Sequence, residues 1–221
     1  MKQNDWKRFK IWDEWRNVTR FLRSAQIAFD AEMSKWNSLP VSDLSEIQLA
    51  IKTGKSNYKV MLPEHLEVLK DNQTLFSMTL QASLALIEEH ARDVLRELHT
   101  KGHSLSPVIT ASKVQEAIDK YPPKGIEGWG TRLLALVKRS WADVNLGGLA
   151  GIIEVVVVRN ALAHGQPAVS QSMLNRVHNA GGTLPWALND PVVISFDIVN
   201  DYRERLRSFA RVLADATAQI R

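Results

Sequence analysis

Along most of this chain the apolar residues return every three or four positions, the period of a helix with one buried face. In the first forty residues Phe9, Trp12, Trp15, Val18, Leu22, Ala25, Phe29, Met33 and Trp36 make one such stripe. The pattern predicts a single long helix, with Asp5 suited to its N-cap and Ser38-Leu39-Pro40 as its stop. A second strong stripe runs from Asp71 to Thr100 through Phe76, Leu80, Ser83, Leu84, Ile87, Ala91, Val94 and Leu98, and Gly102 follows as a natural C-terminal cap. A third closes the chain with Val199, Tyr202, Leu206, Phe209, Leu213, Ala216 and Ile220, capped at Ser195 or Asp197.

Shorter helices are expected from Pro63 to Lys70, from Ser112 to Tyr121 ahead of Pro122-Pro123, from Thr131 to Trp141 after a turn at Gly125 to Gly130, and from Gln171 to His178. Val41 to Met61 has little periodicity and reads as a loop with a short helix around Asp43 to Ile51. Lys52-Thr-Gly-Lys-Ser56 superficially suggests a phosphate loop, but the upstream glycine of that pattern is missing. Val192 to Phe196 reads as a short strand or extended segment before the last helix. The expected fold class is all-α, a helical bundle, with residues 1–62 as an N-terminal helical arm and loop packed on a domain of residues 63–221.

One stretch breaks the amphipathic rule. Ile152 to Val158 is almost wholly apolar and β-branched, which by propensity suits a buried strand. The run continues without a turn through Ala161, Leu162 and Ala163, and Gly165 with Pro167 forms a helix-stop signature. From Leu149 the segment is also long for a strand, so a buried helix is the expectation.

Bulk properties narrow the setting. Hydrophobic residues make up 45% and charged residues 24% of 221 positions, enough for a sizeable core. Glu154 and Arg159 bracket the most apolar run, far short of a membrane span, and no signal-peptide core is evident, so a cytoplasmic protein without a membrane partner is expected. With no cysteine, thiolate chemistry and Cys-based zinc sites are excluded. The scattered histidines show no metal-ligand spacing, and neither metal nor cofactor is expected. A net charge of +4 permits a nucleic-acid partner without demanding one, and the basic start of the first helix is either a solvated face or a hold for RNA phosphates.

The candidate chemistry sits where the apolar run ends. On a helix, Asn160 and His164 lie four apart on one face, with Arg159 about 100° round from Asn160. Arginine offers a fixed fork of donors for a phosphate, and histidine moves a proton near neutral pH. Those are groups that cut RNA without metal. The spacing is not specific, because Arg92 with His99 and Arg96 with His103 also satisfy it. A capped helix end with a structural ion pair is the competing reading of Arg159 and His164.

In this context Arg159-Asn160-Ala-Leu-Ala-His164-Gly165 resembles the Arg-x(4–6)-His motif of the HEPN (higher eukaryotes and prokaryotes nucleotide-binding) superfamily, and Asn160 matches the polar residue that commonly follows the arginine. The resemblance covers roughly Asp71 to Arg221 and implies a homodimeric, metal-independent endoribonuclease. Such a hydrolase serves as a toxin, an antiviral defence factor or an RNA-processing factor, sometimes with an antitoxin or regulatory protein as partner. It carries Arg159 and His164 over as catalytic and Asn160 as supporting. Where toxins paired with minimal nucleotidyltransferases often have Tyr, this chain has Gln166. A non-catalytic HEPN-type module that binds RNA, nucleotide or protein is the alternative.

Overall fold

The computed structural model describes residues 8–40, 45–53, 56–106, 108–109, 113–123, 125–165 and 168–220. Among these the elements run α1 (Ile11–Asn37), a hairpin of β1 (Gln48–Thr53) and β2 (Ser56–Met61), α2 (Leu62–Lys70), α3 (Gln73–Thr100), α4 (Val114–Asp119), α5 (Ile126–Leu136), a 3-10 turn (Trp141–Asp143), α6 (Gly148–Ala163), α7 (Gln171–Asn179) and α8 (Phe196–Gln219). The molecule is an all-α bundle with one small sheet. No helix among the described residues is long and apolar enough to cross a membrane.

The long helices form because their stripes have somewhere to go. The α3 stripe is buried throughout and packs chiefly on α8 and α1. Its end is a left-handed Gly102 whose N–H donates to the His99 carbonyl, while the His103 N–H reaches Leu98. Ser195 caps α8 with its side-chain oxygen on the Ile198 N–H. Val192 to Ser195 is extended rather than a strand, and both backbone groups of Ile194 bond the Gln73 carboxamide, at 2.8 Å and 2.7 Å.

Helix α1 joins the same core through Ile11, Trp15 and Leu22. The expected N-cap, Asp5, lies outside the described residues. A buried cation pins this helix: Arg203 of α8 donates from Nε to Ser83 Oγ of α3 at 3.0 Å and from Nη2 to Thr19 Oγ1 of α1 at 2.8 Å, with its guanidinium 4.9 Å from the Trp15 ring centre. Burial pulls its pKa down to about 10, so it stays charged at neutral pH. On the outer side of α1 the basic residues are partly matched by its own acids, with Arg16 on Asp13 and Lys10 on Glu14.

Two expectations are corrected. The helix expected around Asp43 to Ile51 is instead a turn at residues 45–46 followed by strand β1 from Gln48, in register with β2 as Leu49↔Val60 and Ile51↔Tyr58 (Asp43 and Leu44 lie outside the described residues). Four apolar side chains thus share one face of the hairpin, and Leu49 packs on Leu62, Leu66 and Leu69 of α2. The helix expected from Thr131 to Trp141 runs instead from Ile126 to Leu136, so Gly128 and Gly130 lie inside it and Trp141 belongs to the 3-10 turn that follows. Gly130 is a packing residue rather than a turn: a Cβ there would sit 2.8 Å from the Trp141 indole, which stacks on Phe209 at 5.1 Å.

Glu88, Glu89 and His90 point three ways. Glu88 faces a cleft, Glu89 pairs with Arg92 and Arg96, and His90 is in the core against the edge of Phe9. His90 Nε2 lies 3.1 Å from the Ala210 carbonyl, so Nε2 carries the proton and Nδ1 is left without a partner. Burial pulls its pKa down to about 4, against 6.5 in an unfolded chain, with the Ala210 bond opposing. Between those values the unfolded state binds more protons, so stability is lost as pH falls through that window. At pH 4.5 the loss attributable to His90 is about 2 kcal/mol. Urea unfolding at pH 7 and 4.5 is expected to show that excess loss in the parent and not in His90→Leu.

Candidate functional site

Helix α6 is buried on nearly every side from Gly151 to Val158. A helix this apolar is stable only when enclosed, and enclosure overrides the strand preference of Val155 to Val158. Its start is built on glycine. Gly147 and Gly148 take φ of 95° and 53°, and a Cβ on Gly151 would meet the Leu146 carbonyl oxygen at 2.4 Å. The one charged residue inside the run, Glu154, accepts from Tyr202 Oη at 2.9 Å and Arg205 Nη1 at 2.5 Å, which ties α6 to α8. Burial, then the Glu154 charge, pushes the Tyr202 phenol up.

The helix ends as expected. The His164 N–H donates to the Asn160 carbonyl at 3.0 Å, and Gly165 follows with φ 62° and its N–H on Leu162. Pro167 and Gln166 lie outside the described residues. At 100° per residue, Leu149, Ile153, Val156, Asn160 and His164 fall on one stripe of α6, with Arg159 at its flank.

The structure brings Arg159, Asn160 and His164 to the wall of one cleft of about 590 Å³. Leu84 and Glu88 of α3, the Pro122-Pro123 turn, Trp129 of α5 and Arg176 of α7 complete it. His164 is exposed at the rim; Arg159 and Asn160 are half-buried. Arg159 Nη1 donates to Asn160 Oδ1 at 2.9 Å, and its buried Nε has no partner among the described residues. The Asn160 oxygen thus holds the Arg159 fork.

The two look-alike spacings separate cleanly. Arg92 pairs with Glu89 and also donates to the Tyr121 carbonyl, and Arg96 pairs with Glu89, Asp93 and Asp119. Burial pushes Glu89 up, but the bonds from Arg92 and Arg96 outweigh it and leave the carboxyl below its ordinary range. Those arginines are saturated by protein acids. Arg159 has no ion pair among the described residues, and its one bond is to a neutral amide beside it.

Sequence reasoning missed two members of this cleft. Glu88 is one helical turn beyond Leu84 on α3, and that spacing was its only signal. Arg176 carried none, because its place depends on how α7 packs on α6. It reaches across to Glu127 of α5 at 2.8 Å. Among the described residues no group of three or more His, Asp or Glu side chains could hold a metal ion.

Gly151→Ala must push α6 off the Leu146 turn, and a loss of about 1–3 kcal/mol is expected in urea unfolding; unchanged stability would disprove the close approach. The chain matches no protein-family model, no curated protein and no solved structure.

Proposed function

We propose that the protein is a metal-independent endoribonuclease of the HEPN type, acting at the cleft of Arg159, Asn160 and His164. One observation carries the reading: a half-buried arginine with no carboxylate partner among the described residues faces a cleft, beside an exposed histidine. The structural arginines of this protein are satisfied, Arg92, Arg96 and Arg205 by acids and the buried Arg203 by several neutral oxygens, whereas the Arg159 side chain has a single bond to the amide beside it. An RNA phosphodiester supplies the missing anion.

The chemistry follows from the groups present. The RNA 2′-hydroxyl attacks phosphorus, the bond from phosphorus to O2′ forms, and the bond to O5′ breaks, giving a 2′,3′-cyclic phosphate and a 5′-hydroxyl. Arg159, aligned by Asn160, binds the non-bridging oxygens and stabilises the added charge in the transition state. His164 transfers a proton to or from a reacting oxygen. The reaction needs one proton removed and one delivered, and each chain offers one such imidazole. A second copy across a two-fold axis, with its own Arg159 and His164 at the rim, completes the set. An antitoxin or regulatory protein is a compatible partner for such an activity.

Arg159→Ala and His164→Ala are each expected to lower cleavage of single-stranded RNA by about 10²-fold or more, at unchanged far-UV circular dichroism and unchanged mass in light scattering. Both side chains lack bonds to other elements among the described residues, so the fold survives either change. EDTA is expected to leave the rate unaltered and the products to carry cyclic phosphate. Activity that disappears with EDTA would sink the proposal, and RNA binding with no product from the parent protein would favour the non-catalytic module.

A further inference from the structure

From the Val156 end of the cleft, away from His164, the same stripe runs back toward the start of α6. Leu149 and Ile153 floor a second hollow of about 510 Å³, walled by the outer face of α7. Both hollows fall in the range of about 300–1,000 Å³ that holds small organic ligands. Between them stand Arg176, which lines both, and its partner Glu127. From Leu149 to His164 the stripe is about 22 Å long at 1.5 Å per residue. A single groove along α6, divided by one ion pair, is the simplest account of this shape.

The chemistry of the second hollow differs from the first. Asn175 and Asn179 lie one turn apart on the exposed face of α7, with Arg176 beside them. The Asn175 oxygen accepts from Gln171 Nε2 at 2.8 Å, which leaves its amide N–H groups to donate outward. Carboxamides over an aliphatic floor present what an unstacked nucleobase needs: an apolar surface for its face and donors or acceptors for its edge. The dividing pair is itself exchangeable. Arg176 and Glu127 are 38% and 42% exposed, and ion pairs so open to water are weak.

Resting on the ribonuclease reading above, we propose that this hollow is the subsite for the nucleotide next to the scissile phosphodiester: Asn175 and Asn179 read its base, and Arg176 exchanges Glu127 for the connecting phosphate. Cleavage then depends on base identity at one flanking position. Glu127 keeps Arg176 extended over the groove until RNA arrives.

The test uses uncleavable 2′-O-methyl hexamers of A, C, G and U with the full-length protein, read by fluorescence anisotropy over a salt series. The parent is expected to bind one base at least tenfold more tightly than the weakest. Asn175→Ala/Asn179→Ala, at two exposed positions, is expected to bring the four affinities within about twofold while His164→Ala keeps their order. Arg176→Ala is expected to reduce the log–log salt slope by about 0.7, the value of one single-strand phosphate contact. An unchanged order in the double variant, no base preference in the parent, or an unchanged slope in Arg176→Ala would overturn the subsite and leave the cleavage site standing. A parent protein that binds none of the hexamers would overturn both.

Discussion

The site depends on the enclosure of α6. A sixteen-residue helix with apolar side chains all round has no face to offer water, so the bundle must close on it. That closure fixes everything the helix carries. The internal charge, Glu154, survives because Tyr202 and Arg205 meet both of its oxygens, and a carboxylate buried without such partners would cost several kcal/mol. Arg159, Asn160 and His164 then emerge where the apolar run stops, on a support that cannot rotate or slide without exposing valines. Rigid elements hold side chains in place better than loops do, and the element that carries these candidates is the core itself.

Glycine and aromatic packing supply the tolerance this needs. Gly151 admits the Leu146 carbonyl against α6, and Gly130 admits Trp141 against α5. Each close approach replaces a side chain with backbone or an aromatic ring, which brings neighbouring segments nearer than ordinary residues permit. The cleft wall at Trp129 and the Pro122-Pro123 turn is positioned by that same α5. On the far side Arg203 joins α1 to α3 and α8 through neutral oxygens and the Trp15 ring, a cation made tolerable by several bonds rather than by one acid.

Arginines define the electrostatic contrast across the molecule. Arg92 and Arg96 are neutralised by acids within their own neighbourhood, and Arg205 by Glu154 and Asp201. Arg159 is held by Asn160 instead, which aligns the guanidinium without cancelling its charge. A neutral anchor for a cation preserves its capacity for an anionic ligand. Glu88 in the same cleft tempers that potential.

How much of this was legible in the sequence follows from the range of each interaction. Hydrophobic period, caps and stops are local, so α1, α3, α6 and α8 with the Ser195 and Gly165 ends could be read directly, and so could the candidates Arg159, Asn160 and His164. Where a local sign had two meanings the reading failed. Gly128 and Gly130 looked like a turn but lie inside α5, where Gly130 serves packing, and the weak alternation of Leu49, Ile51, Tyr58 and Val60 is a hairpin whose Leu49 rests on the apolar face of α2. The tertiary structure separated Arg159 from Arg92 and Arg96 by showing which acids pair: Glu89 and Asp93 of the same helix, with Asp119 brought in by packing, neutralise the look-alikes, whereas no acid among the described residues pairs with Arg159. It alone placed Glu88 and Arg176 in the cleft, since α3, α6 and α7 meet there by packing that no spacing along the sequence encodes.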